Sequence, residues 1–241
     1  MFNLLKAELK ALFKWKATIY TIIMMTLFGA FMTLINILTK ASTFEGFFEF
    51  TYVVFLITSV TIGLFLHKDY SQNTIRNKII VGHSRGEIYL AKIITIFIAI
   101  SLVMILFIIA AVSVGCIFGD VDYIKWGIFG QNCVMVWISL INVVSIISIL
   151  SINIQSTIGA MLPMIVLYII MFFGIIVVEM FVIKNNTTAL ELVKTLPVVS
   201  VMMLNETIEP FKISHTIIWG IGITLCMQFL GYYIFRKLDL K

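Results

Sequence analysis

Charge is the scarcest commodity in this chain. Of 241 residues only 12% are charged and 61% are apolar, whereas a water-facing domain is about one quarter charged. With a mean hydropathy of +1.10 over 27.3 kDa, too few charges exist to solvate a globule. An ordinary soluble domain is thereby excluded. Only three prolines and fourteen glycines occur, which excludes collagen-like and low-complexity chains. Cys116, Cys133 and Cys226 are widely spaced, with no CxxC and no Cys/His cluster, so they read as small packing residues rather than metal ligands or disulfide partners. His67, His83 and His215 are far apart, and no carboxylate pair stands at metal spacing. The sequence has no GxxxxGK followed by Ser or Thr and no HExxH. It therefore lacks a phosphate-binding P-loop and the paired-histidine zinc motif of metalloproteases. No catalytic residue and no resident cofactor or metal is expected. The net charge of +5 does not imply a nucleic-acid partner, because its distribution matters more than its size.

What the chain has instead is long apolar runs. At about 20 residues per crossing, they read as six transmembrane helices over residues 17–39, 50–67, 93–118, 126–152, 157–183 and 215–235. All of 1–241 is one all-α membrane domain with no room for a separate soluble part. Residues 1–16 read as an amphipathic helix lying on the membrane surface. Lys6, Lys10, Lys14 and Lys16 take one side, and Phe2, Leu5, Leu9, Leu12 and Phe13 recur at helical spacing on the other. The run that follows is long enough to span and has no small-residue cleavage site, so this segment is not expected to be a removed leader.

Orientation follows from the basic residues. With six spans and the N-terminus inside, twelve of the seventeen Lys and Arg residues, including all three arginines, fall on the cytoplasmic side. The positive-inside rule selects that arrangement, with both termini cytoplasmic. Tyr20, Trp126, Trp219, Tyr232 and Tyr233 lie near expected span ends, where amphipathic rings settle.

Two connections are longer than topology needs. The cytoplasmic segment 68–92 offers Gly82 as a left-handed helix cap, and Ser84 with Glu87 three residues on as a capping box. The spacing predicts two short helices joined at Gly82-His83-Ser84, with a basic face toward cytosol. Either it is a solvated positive loop anchored by lipid phosphates, or it docks a partner. The extracellular segment 184–214 has apolar residues alternating with polar ones, as in short half-helices dipping into the interface; an ordinary outer loop is the alternative. Glu179 is the one acidic residue well inside an expected span. It is either an interfacial side chain reaching headgroups or an intramembrane functional carboxylate.

The loop resembles that of a known family. Asp69, then Asn73-Thr74-Ile75-Arg76-Asn77-Lys78, then Gly82-His83-Ser84-Arg85, Ile88-Tyr89 and Lys92 look like the first cytoplasmic loop of ABC-2 type transporter permeases. Asn73 stands where that family more often has glycine. Leu5-Lys6-Ala7-Glu8-Leu9-Lys10 and the basic tail Arg236-Lys237-Leu238-Asp239 also fit. The resemblance implies an interfacial helix, six spans and a coupling helix gripped by a partner. That partner would be two copies of a cytoplasmic ATPase, which bind the ATP and Mg. A second permease, identical or homologous, would complete the assembly in a bacterial cell membrane. Asp69, Asn73, Thr74, Arg76, Asn77, Lys78, Gly82, Ser84, Arg85, Glu87 and Lys92 become the expected ATPase-coupling residues. The implied activity is export of amphipathic peptides or hydrophobic compounds. An ATP-independent secondary transporter or channel, or a non-transporting membrane anchor or sensor subunit, is the alternative.

Overall fold

A computed structural model describes residues 1–39, 51–72, 74–119, 126–153 and 213–237, together with scattered positions between 165 and 180. The expected fifth span, the outer segment 184–214, Asn73 and Glu179 lie outside the described residues, apart from those scattered positions. Seven principal helices are described: α1 (Phe2–Lys14), α2 (Lys16–Leu38), α3 (Thr51–Ser71), α4 (Thr74–Ile80), α5 (Arg85–Phe118), α6 (Trp126–Asn153) and α7 (Ile213–Lys237). No strand occurs among the described residues.

Among the described residues, four helices are long and apolar enough to cross a membrane: α2, α5, and the parts of α6 and α7 over Phe129–Ser151 and Ile217–Lys237. Val53–Asp69 of α3 and α4 pass the same test together, as a pair bent by 50°. Together with the composition, they make this a membrane protein of several spans. The helix ends fall close to the expected boundaries, with two informative exceptions around the loop 68–92. α3 continues to Ser71, and α5 begins at Arg85 rather than at Ile93. The loop thus shrinks to α4 and its two joints, and the second of the two expected short helices is simply the start of α5. At 34 residues, α5 is about 50 Å long, well beyond the ~30 Å of a hydrocarbon core. Its charged first turns, with Arg85, Glu87 and Lys92, can therefore stand clear of lipid.

α5 is the central element. α2 and α1 pack on it, α3 packs on α6, and α7 lies chiefly on α6. The core contains Met25, Phe55, Phe65, Ile96, Met104, Phe107 and Leu140. The contact faces also carry small and hydroxyl-bearing residues. On α2 the buried stripe is Thr21, Met25, Gly29 and Thr33, at four-residue spacing. Gly29 is required by a close crossing, since a Cβ there would lie 2.7 Å from the Phe107 carbonyl oxygen. On α6, Ser139, Ser145, Ser148 and Ser151 are buried. Ser139 and Ser145 donate to the carbonyls four residues back. In lipid, where apolar burial gives no preference for protein over tails, small residues let backbones approach and hydroxyls find internal acceptors.

A polar ladder joins α7 to its neighbours. The Tyr89 hydroxyl donates to Gln228 Oε1 at 2.9 Å, Gln228 Nε2 donates to Ser148 at 3.4 Å, and Thr224 donates to Asn142 Oδ1 at 3.3 Å. The opposite face of α7, with Ile218, Trp219, Ile221, Leu225 and Phe229, is exposed. All three cysteines are free.

Candidate functional site

The basic end of the bundle is where the sequence concentrated its unusual residues, and local chemistry shapes it. α4 ends in a Schellman arrangement. The Gly82 N–H donates to the Ile79 carbonyl at 2.9 Å and the His83 N–H to the Lys78 carbonyl at 3.1 Å. Gly82 occupies φ +100°, the left-handed region that closes this motif. Two residues on, Ser84 caps α5. The Glu87 N–H donates to Ser84 Oγ at 3.3 Å, and Glu87 Oε2 accepts from the Ser84 N–H at 3.1 Å. Both expected caps are present, and together they fix a sharp turn between α4 and α5.

That turn is tied to the end of α7. Arg85 Nη1 donates to the Arg236 carbonyl at 3.0 Å, satisfying one of the orphan acceptors of that helix terminus. Gly86 faces the Tyr232 ring, 3.1 Å from where a Cβ would stand. The start of α5, the end of α7, α4 and α1 thus meet at one end of the molecule.

Beneath them lies a feature no single segment announces. Glu8 on α1, Asp69 on α3, Lys78 on α4 and Lys92 on α5 converge into one ionic cluster. Lys92 pairs with Asp69, and with Glu8 at 3.2 Å. Lys78 pairs with Glu8, and with Asp69 at 3.6 Å. Glu8, Lys92 and Asp69 are only 2%, 3% and 8% exposed. Two carboxylates face two ammonium groups, so the formal charge cancels. Buried charge is tolerated only under such pairing. The Lys92 ammonium also sits 4.7 Å from the centre of the Phe65 ring, a cation–π contact. Burial alone would raise the Glu8 carboxyl. The Lys92 charge and the Lys78 hydrogen bond outweigh it and hold the carboxyl below the usual range. The Thr74 hydroxyl donates to the Asp69 carbonyl at 3.0 Å, fastening the start of α4 to the end of α3.

The expected coupling residues therefore divide into two groups. Asp69 and Lys92 are internal and ion-paired within the chain. Both are buried, because α1 packs on α5 and covers them with Glu8. Lys78 is part of the same cluster at one-fifth exposure, and Gly82 and Ser84 shape the turn. Arg76 and Asn77 are exposed on α4, followed by Ile80 and Val81, 72% and 78% exposed. Arg85 and Glu87 are half-buried. What remains available to a partner is the outer face of α4 with its following turn.

Glu8 was missed as a site residue. Its signal is the spacing Leu4, Glu8, Leu12, which puts a carboxylate in the middle of an otherwise apolar stripe. All three are buried, whereas Phe2 and Phe13, expected on the same face as Leu12, are 79% and 40% exposed. A scan against protein-family models and a search of curated proteins gave no match. The functional reading consequently rests on the residues and their geometry.

Proposed function

We propose that this chain is the permease subunit of an ATP-driven exporter of the ABC-2 type. It crosses a bacterial cell membrane six times with both termini in the cytoplasm. It catalyses nothing itself. Two copies of a separate ATPase bind ATP and Mg, and a second permease, identical or homologous, completes the translocation path for amphipathic peptides or hydrophobic compounds.

The observation that carries the reading is the construction around α4. This short helix and the turn that follows it present Arg76, Asn77, Ile80 and Val81 outward. On its inner side, Lys78 is held by Glu8 of α1 and Asp69 of α3, which in turn hold Lys92 of α5. A partner that displaces α4 therefore acts on three other helices through one side chain. ATP binding elsewhere supplies the energy. This chain supplies two arrangements of its spans that differ in affinity for the closed ATPase dimer.

Affinity purification of the tagged protein from native membranes in mild detergent tests the proposal. A P-loop ATPase is expected to co-purify, and Arg76→Glu to reduce its recovery while leaving the permease folded. Recovery of intact protein without any ATPase would overturn it.

A further inference from the structure

The face of α1 turned away from the ionic cluster carries a second feature, which does not depend on an ATPase partner. α1 is divided lengthwise into three stripes. Leu4, Glu8 and Leu12 are buried against the bundle. Phe2 and Phe13, two of the chain's large aromatic residues, are exposed beside half-buried Leu5 and Leu9. Lys6, Lys10 and Lys14 form the third stripe, at successive four-residue spacings, and all are exposed. Among the described residues no carboxylate pairs with any of these three lysines. A single residue, Trp15, in an extended conformation, then turns the chain into α2, which is long and apolar enough to cross the membrane.

A helix one residue from a span, with exposed phenylalanines on one stripe and unpaired lysines on the next, satisfies both only at the lipid–water boundary. Four-residue spacing sets the ammonium groups about one helical turn apart, in a row parallel to the membrane plane. We infer that Lys6, Lys10 and Lys14 are a binding ladder for the phosphate headgroups of anionic phospholipids, with Phe2 and Phe13 inserted among the acyl chains beside them. Zwitterionic lipids carry a compensating cation at the same depth and are disfavoured. Because Glu8 is on the same helix, the lipid-bound ladder also holds one wall of the ionic cluster in place.

Each lysine beside an anionic surface contributes about a fivefold gain in binding, so the three together give roughly a hundredfold preference. The test is native mass spectrometry of the full-length protein released from nanodiscs of equimolar phosphatidylglycerol and phosphatidylcholine. Wild type is expected to retain phosphatidylglycerol selectively. The triple variant Lys6→Gln/Lys10→Gln/Lys14→Gln is expected to lose that selectivity, and Arg236→Gln/Lys237→Gln at the end of α7 to keep it. All five side chains are exposed, and a circular-dichroism melt verifies that both variants remain folded. Equal retention of the two lipids by wild type, or undiminished selectivity in the triple variant, would overturn the inference. So would displacement of the bound lipid by inorganic phosphate at unchanged ionic strength, which would mark a free-anion site. A preparation without any ATPase gives the same reading, so failure here is distinct from failure of the exporter proposal.

Discussion

Replacing Glu8 by Gln removes one charge from the ionic cluster without removing its volume. Among the described residues Lys92 then keeps Asp69 as its only carboxylate, and it cannot turn to water, because it is 3% exposed. Lys78 is one-fifth exposed and can relax outward. Breaking a buried pair costs about 3–5 kcal/mol. The amide still offers an oxygen acceptor and one ammonium can rehydrate, so the lower end, about 3 kcal/mol, applies. For a chain of this size each kcal/mol is about 2–4 °C, so the apparent melting temperature is expected to fall by about 6–12 °C. A thermal-shift measurement on detergent-solubilised protein reads it, with Lys6→Gln on the exposed stripe as the control. A fall no larger than the control's would refute the reasoning that burial makes this cluster costly to disturb. The same carboxyl sets a pH dependence. Its folded-state pKa is depressed, so the stabilisation is complete above the usual carboxylate value and is lost as pH falls through the lowered one. Wild type should therefore lose stability in acid more steeply than Glu8→Gln, and parallel acid profiles would contradict this sign.

Further outcomes follow from local geometry at three positions. Gly82→Val should cost about 1–2 kcal/mol by chemical denaturation, because φ is +100° and no atom of the described residues lies within 4 Å of a Cβ, leaving backbone strain as the main effect. Gly82→Asn should be milder, since asparagine tolerates that region. Ser84→Ala should cost about 1 kcal/mol through the lost cap of α5, read as faster hydrogen exchange at the Glu87 amide. Gly29→Ala should destabilise by about 1–3 kcal/mol, because its methyl would meet backbone, the Phe107 carbonyl at 2.7 Å, rather than a movable side chain. An unchanged melting temperature for that variant would mean the α2–α5 crossing can open.

Sequence by itself determined the solvent and much of the local structure. Apolar run length decides which segments can cross a membrane, since an unpaired backbone cannot remain in lipid outside a helix. Gly82 and the Ser84–Glu87 pair were legible because a cap is made between residues only a few positions apart. The segment 68–92 misled in one respect: its polar residues read as a loop, yet α3 and α5 extend into it. Polarity shows where a helix leaves lipid, not where it ends. The ionic cluster was decided by tertiary structure alone. Glu8, Asp69, Lys78 and Lys92 come from four helices, and in sequence each reads as an ordinary solvated charge. Only the seating of the Leu4–Glu8–Leu12 stripe on α5 takes Glu8 and Lys92 out of water and makes their pairing obligatory. The same seating turns Phe2, Phe13 and the lysine ladder outward. Which side of a helix meets protein is a property of the surface it packs on, and spacing along the chain does not specify that surface.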